Sequence, residues 1–573
     1  MKVSIVVPTY NRRQSLERCL GSLGIQTFPR EEFEVVVVVD GCTDDTEEFL
    51  RSYAPPHPFR WVSQSNRGQP TAQNTGIAVA RGDIVILMDD DCICDAGLVA
   101  AHYDVHRSGE RLVAIGPVLL HSDSPAGTLK DLKNEVEDRE FARLSSLGAR
   151  RSDLMLCANS SIERQAALDC AFDPAYKRMH DVEAGLRLWT RGYRPRMCAS
   201  AVAYELFTKS VAGVLSDSRY QGQYEVLLAQ EYPAFKPMAA LVRINEGSPL
   251  RRWLRKQMAT YARASEFVLR AVYCLAEPLR SLSFFSFVAN RTLRARLGVQ
   301  HIRGAIEATG SWEELERRFG KRTPVLIYHN VGTPHPDEYP GLTTTMAEFE
   351  AQIILMAKMG YHAILPSEWL RWRDMGEPLP ERPLMLVFDD GYDEACRIAF
   401  PILEKYGCGA ACMIVTSCIG STNRWDEEAG RPSFQLMSEA QIIEWSQRCI
   451  EFGGHTSRHP ELTLENNERI EREIAECKEG LKTLLGKEPA SFAYPFGEFN
   501  ANAERAVSRH FQLGFTSWPG CLHLATNPYL VPRIAFLPGE SRIGMWCRLR
   551  LGKNPFEVLR NRWRWLIGRG GPT

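Results

Sequence analysis

The chain has 573 residues, 44% hydrophobic and 24% charged, with 33 prolines and 42 glycines, a balance that excludes collagen-like, mucin-like and disordered classes. Lys and Arg total 69 against 70 for Asp and Glu, which excludes a global field for gathering nucleic acid. Single cores rarely grow beyond roughly 250–300 residues, so two domains with accessory helices are expected. The sixteen cysteines contain no CxxC pair, and the opening MKVSIVVPTYNRRQ lacks the apolar core of a secretory signal, so a cytoplasmic protein with reduced thiols is expected. The most apolar stretch, 267–288, is broken by Arg270, Glu277, Pro278 and Arg280, too often for a membrane span.

Residues 1 to about 110 alternate short apolar runs (3–7, 34–39, 83–88) with amphipathic stretches such as 14–23, a βαβ rhythm. Runs without polar alternation, like 35–39, are what strands buried on both faces of a largely parallel sheet require. The first strand ends in Pro8-Thr9-Tyr10-Asn11, the second in Asp40-Gly41-Cys42-Thr43-Asp44, and another in Asp89-Asp90-Asp91, so three polar clusters face one crevice. Clustered carboxylates there suit a hard divalent ion bridging a diphosphate. Asn66-Arg67-Gly68 and Gln73-Asn74-Thr75-Gly76 supply a glycine-containing loop and a helix start for diphosphate or sugar.

In order and spacing, VSIVVPTYNR, VVVVVDGCTDDT and NRGQPTAQNTGIAVARGDIVILMDDDC resemble the inverting glycosyltransferases of family 2, over about residues 1–230. The resemblance implies a GT-A fold in which Pro8, Tyr10, Asp40, Asn66, Gly68 and Asp89 bind a nucleotide-sugar, UDP-linked by preference. Asp89 and Asp91 would form a DxD element for Mn²⁺ or Mg²⁺. Asp181, in His180-Asp181-Val182-Glu183, would be the general base, with His180 where the family usually has Glu, and Ala203-Tyr204-Glu205 stands where relatives place a metal-holding histidine.

Residues 243–320 read as Arg-, Trp- and Phe-rich helices, taken as a connector. A second βα series opens with VLIYHNV and continues through LMLVFDDGY, AACMIVTS, FGGHTSRH, SFAYPFG and QLGFTSW, with polar residues at the strand ends, as a barrel enzyme needs. Asp390, His455 and His459 make a ligand set for Zn²⁺ or another divalent transition metal, provided the backbone between the two histidines is helical. Asp389 beside the ligand carboxylate is placed to take a proton from water.

FDD, HTSRH and FAYPFG resemble the polysaccharide deacetylases, carbohydrate esterase family 4, over about residues 322–540, with a distorted (β/α) barrel. The family's third motif would place Arg at Ala493 and Tyr at Phe496, so the arginine that holds the base is missing there; by analogy with relatives carrying a later PRI, Arg533 supplies its charge. The late catalytic histidine is not evident: His523 is nearest by sequence, and His329 lies at the end of VLIYHNV. Trp518 is either a sugar-contacting aromatic or a packed barrel-end residue.

Residues 541–573 carry eight basic residues against Glu557, with Trp563 and Trp565 interleaved; this tail and the basic helices from 251 either lie on an anionic membrane surface or pack as interdomain surface. The expected organisation is therefore an α/β chain: a GT-A domain with a mixed, mostly parallel sheet (1–240), a helical connector (241–321), a barrel deacetylase (322–540) and a basic tail (541–573). The expected function is sugar transfer from a nucleotide donor together with metal-dependent N-deacetylation of an N-acetylated glycan, glycolipid or small glycoside. The alternative is a transferase whose barrel only binds or scaffolds carbohydrate. The location is cytoplasmic, with the inner membrane surface as the peripheral option.

Overall fold

The computed structural model describes residues 1–146, 158–246, 249–428 and 430–552. It divides into two compact units, one of residues 1–241 with 250–315 and one of residues 242–249 with 316–573.

The first unit is built on a seven-stranded sheet in the order Phe59–Gln64, Phe33–Asp40, Val3–Thr9, Ile84–Met88, Asn159–Glu163, Leu112–Ile115, Arg194–Met197. The first four strands are mutually parallel, and Asn159–Glu163 runs against both its neighbours. Val35 to Val39 are wholly buried because helices cover both sheet faces, which is why they show no polar alternation. Helix Arg13–Leu23 packs Leu16, Cys19, Leu20 and Leu23 on one face. Helix Gln69–Val79 lies so close to the sheet that a Cβ on Gly76 would meet Val6 Cγ1 at 2.3 Å. A three-stranded sheet of Cys92–Cys94, Ala203–Glu205 and Val118–Leu120 brings Glu205 opposite Cys92, directly after the aspartate cluster.

Most of the region expected as a connector, residues 250–315, clusters with this unit. Helix Ser283–Thr309 crosses helix Val211–Glu231 at two glycines: a Cβ on Gly304 would meet the Arg219 carbonyl oxygen at 1.8 Å, and one on Gly222 the His301 oxygen at 1.9 Å. Backbone contact this close, with Leu132, Tyr273, Ala276, Ala289 and Leu293 forming a common core, binds the helices to the transferase side, and the boundary moves from 321 to about 315.

In the second unit seven parallel strands run in the order Thr323–Tyr328, Pro383–Phe388, Ala410–Ile414, Ile450–Gly454, Ser491–Ala493, Leu513–Pro519, Val531–Arg533. Ile534 then pairs with Leu326, so the sheet nearly closes on itself. Its core is apolar throughout, with Phe349, Phe388 and Phe400 packed edge-on and fully buried. Of the basic tail, helix Arg542–Leu551 packs on this unit through Cys547 and Leu549 and a half-buried Arg548–Glu540 ion pair at 2.8 Å; residues 553–573 lie outside the described residues. None of the described cysteines forms a disulfide.

Candidate active sites

Successive strands of the second unit end in polar side chains at one rim. Pro383–Phe388 ends in Asp389 and Asp390, Ile450–Gly454 in His455, and Val531–Arg533 in Arg533. The imidazole Nε2 atoms of His455 and His459 lie 3.1 and 3.3 Å from Asp390 Oδ1 and 3.2 Å from one another. Among the described residues this is the one group of three or more His, Cys, Asp or Glu side chains with all ligand atoms within 4.8 Å of each other.

The sequence spacing reaches this geometry without the helix it was expected to need. Residues 455–459 form an irregular loop in which Thr456 (φ 64°) and His459 (φ 62°) are left-handed, and Thr456 Oγ1 accepts the His459 N–H at 2.9 Å. Asp390 is left-handed as well (φ 72°). Positive φ is sparsely populated by non-glycine residues, so the left-handed Thr456 and His459 set the turn of this loop and Asp390 the exit from its strand.

The donor set fits a divalent ion. Nδ1–H of His455 donates to the Ala493 carbonyl at 2.8 Å, which fixes the tautomer that turns a lone pair on Nε2 toward Asp390. Asp390 Oδ1 is buried and faces both imidazole nitrogens. Burial alone would raise the Asp390 pKa, but the two imidazoles hold it well below the carboxylate range. Two imidazoles and one carboxylate are ligands typical of zinc and its transition-metal neighbours.

Asp389, beside this group, is clamped by Arg533. The two terminal guanidinium nitrogens donate to its two oxygens at 2.8 Å each, while Nε–H donates to the Thr516 carbonyl at 2.8 Å. Both partners are buried, and against the burial penalty the guanidinium, with His455, keeps Asp389 ionised below its ordinary pKa. His329 follows Tyr328, whose carbonyl accepts the Asp389 N–H at 2.9 Å, so it borders the same group. His523 does not: the preceding Cys521–Leu522 strand pairs with Pro324 and Thr323, at the opposite end of that strand from His329, about 20 Å away at 3.3 Å per residue.

Aromatic side chains wall the rim. Trp425 stacks on the His459 ring at 4.3 Å, and Phe496, itself left-handed, meets its edge at 4.8 Å. Trp518 is 56% exposed at the rim end of its strand, tilted against Phe499, so it is not a packed core residue.

In the first unit the polar clusters also share one edge of the sheet. Asp40 is buried, and its carboxylate accepts from Gln64 Nε2 (2.7 Å) and the backbone N–H groups of Arg67 (2.9 Å) and Gly68 (2.8 Å). It therefore shapes the 66–68 loop, which presses on Gly41. Pro8 is buried in its strand, Tyr10 is 48% exposed, and Asn66 is exposed. Asp90 accepts from Thr9 Oγ1 (2.7 Å), and a single Arg12 nitrogen bridges Asp90 (2.9 Å) and Asp91 (2.7 Å). Burial and the neighbouring Asp91 and Asp90 charges push Asp89 up to about 7, and burial lifts Asp90 to about 6 despite Arg12. This crowding of negative charge fits a bound cation at Asp89 and Asp91.

Asp181 stands in the first turn of helix His180–Thr190, after a left-handed Met179. One helix links it to the aspartates: Gln69 donates to Asp89 at 3.1 Å, and Gln73, one turn on, lies 3.1 Å from His180 Nε2. Arg12, Gln69 and Trp425 were not singled out from the sequence. Arg12 adjoins the PTYNR run and could have been; Trp425 sits in the four-residue helix Arg424–Glu427, too short to leave a periodic signal.

Comparison with known families agrees with this division. Residues 4–165 match the Glycosyl transferase family 2 model, and residues 376–516 match the Polysaccharide deacetylase model. The chain is 26% identical over 234 residues to YxkH of Bacillus subtilis (strain 168), a protein named for polysaccharide deacetylase, covering 41% of this chain and 77% of that one. It is 31% identical over 174 residues to the glycosyltransferase YfnE of the same organism, covering 30% of this chain and 43% of that one. Among solved structures, the Streptococcus pyogenes deacetylase PplD in complex with acetate aligns at 26% identity and a TM-score of 0.35, over 39% of this chain and 97% of that one. The protein thus joins two carbohydrate-active enzyme classes in one chain. It carries a family 2 glycosyltransferase domain at its N-terminus and a polysaccharide deacetylase domain at its C-terminus. Both families generally use divalent metals.

Proposed function

We propose that the chain is a bifunctional carbohydrate enzyme: its first unit transfers a sugar from a nucleotide-sugar with inversion, and its second removes an N-acetyl group from a glycan or glycoside. The observation that carries the deacetylase half is the convergence of Asp390, His455 and His459 beside an Asp389 clamped by Arg533.

In the second unit Asp390, His455 and His459 would hold a divalent ion, zinc by ligand type, which when bound polarises the amide carbonyl and acidifies water. Asp389, kept ionised and oriented by both Arg533 nitrogens, accepts the proton of the attacking water. His329, next to the same carboxylate, is the imidazole placed to return a proton to the leaving amine. Trp425, Phe496 and Trp518 offer ring faces on which sugar units stack, with Trp518 the most exposed.

In the first unit Tyr10 and the 66–68 loop, held by Asp40, receive the nucleoside diphosphate of a UDP-sugar; Asp89 with Asp91 would hold Mn²⁺ or Mg²⁺, which when bound would supply positive charge to offset that on the departing diphosphate. Arg12 bridges Asp90 and Asp91 and offsets one of their two charges. Asp181, positioned from the same helix that contacts Asp89, takes the acceptor hydroxyl proton on the face opposite the leaving group. The fusion favours N-acetylhexosamine as the transferred sugar, because the second unit then exposes its amine.

The test supplies purified full-length protein with a panel of nucleotide sugars, acceptors and N-acetylated oligosaccharides, and follows free nucleotide and acetate separately. Asp181→Asn should abolish nucleotide release and spare acetate release from a preformed oligosaccharide; Asp389→Asn should do the reverse. Loss of both activities in either variant, or of neither, contradicts the assignment.

A further inference from the structure

Twelve of the 29 large apolar side chains exposed among the described residues fall between 250 and 287. They are not scattered. On helix Ala262–Ala276 the buried side carries Ala262, Tyr273 and Ala276, while Ala264, Phe267, Val268, Ala271, Val272 and Leu275 are exposed. Those six follow an i, i+3, i+4, i+7, i+8, i+11 spacing, the pattern of a core-facing stripe, yet this stripe faces outward, with Phe267 75% and Leu275 74% exposed. The preceding helix Pro249–Thr260 repeats the arrangement with Leu250, Trp253 and Leu254, and the turn into helix Ser283–Thr309 adds Leu282, Phe284 and Phe287.

The charge around this face has one sign. Between 249 and 294 there are nine basic residues (Arg251, Arg252, Arg255, Lys256, Arg263, Arg270, Arg280, Arg291 and Arg294) and two acidic ones (Glu266 and Glu277). Lys256, Arg280 and Arg294 pair with Glu313, Asp131 and Glu135. Arg263 and Arg270 border the apolar stripe on helical spacing, and Arg291 lies over the Phe287 ring at 5.3 Å. Both acids turn inward, Glu266 to Arg296 at 2.6 Å and Glu277 to Thr128. None of the described helices is long and apolar enough to cross a membrane.

We propose that helices Pro249–Thr260 and Ala262–Ala276, with the start of Ser283–Thr309, seat the transferase unit on the surface of an anionic lipid bilayer. The apolar stripe enters the headgroup–acyl boundary, with Trp253 at interfacial depth, while the bordering arginines extend their charged ends to lipid phosphates. A second copy of the chain is the poorer occupant, because a two-fold contact would set this basic rim against itself. The surface belongs to the transferase unit, so it points to an acceptor presented at a membrane. It does not depend on the deacetylase reading.

Flotation of the full-length protein with vesicles of phosphatidylcholine, with and without phosphatidylglycerol, tests this. Wild type should float with the anionic vesicles, roughly ten-fold more weakly with neutral ones or at high salt. Phe267→Glu/Leu275→Glu should lose roughly ten-fold or more of that binding while its circular dichroism and nucleotide release in solution stay unchanged. Arg263→Glu/Arg291→Glu, which leaves the apolar stripe intact, should lose the preference for anionic vesicles and covers the case in which the first variant misfolds. Failure of wild type to float, undiminished flotation of both variants, or a wild-type dimer in sedimentation that Phe267→Glu/Leu275→Glu converts to monomer would overturn the proposal.

Discussion

Replacing Arg533 with methionine removes the cation between the last barrel strand and Asp389 while keeping most of the side-chain volume. Three hydrogen bonds go, two charge-assisted to Asp389 and one to the Thr516 carbonyl. What remains is a carboxylate that is 3% exposed with no cation against it. Breaking one side of such a buried pair costs about 3–5 kcal/mol, because the abandoned charge keeps its desolvation penalty. For a unit of this size that is a fall in melting temperature of about 10 °C. Hydrogen exchange across a urea series, read at strands Pro383–Phe388 and Leu513–Pro519, follows the second unit within the full chain. Asp389→Asn in the Arg533→Met background should recover part of the loss, with a coupling energy of about 2 kcal/mol or more. Deacetylation should fall with Arg533→Met and return in part with Arg533→Lys, which restores charge but not the two-pronged geometry. A cost below about 1 kcal/mol, or additive effects of the two substitutions, would refute the reasoning that Arg533 holds the base.

At the helix crossing, Gly304→Ala should destabilise the first unit by about 1–3 kcal/mol despite alanine's better helix propensity, since its Cβ meets the Arg219 backbone. Gly298→Ala on the same helix has open space and should stabilise by up to about 1 kcal/mol; equal effects at the two sites in chemical denaturation would contradict the close crossing. Burial, only partly offset by its hydrogen bond to Asn159, lowers His102 to about 4, and neighbouring His106 is also at about 4. Because the folded pKa lies below the unfolded one, the stability tied to neutral His102 is whole above pH 6.5 and shrinks as pH falls toward 4. Between pH 7.5 and 5 that loss is about 2 kcal/mol, measurable as unfolding of the first unit and reduced in His102→Gln.

Much of this was legible because it follows from local chemistry. The unbroken valines 35–39 require a doubly covered strand, and polar residues at successive strand ends place two sites at two sheet rims. The two-histidine spacing identified the right imidazoles for the wrong backbone: a helix was expected, whereas left-handed Thr456 and His459 bring both rings to Asp390. Arg533, 144 residues from Asp389, was reachable only through resemblance, since barrel closure joins strands distant in sequence. The close crossing at glycines 222 and 304 was not legible in the sequence, because a helix pattern does not show which glycines touch another helix.

The most direct test of the two-chemistry account is acetate release from an N-acetylated oligosaccharide by the metal-reconstituted full chain, measured beside nucleotide release from its sugar donor. The account predicts that His455→Ala/His459→Ala loses bound transition metal and acetate release while nucleotide release continues. Wild-type acetate release from the double variant, or none from the metal-loaded wild type, would contradict it.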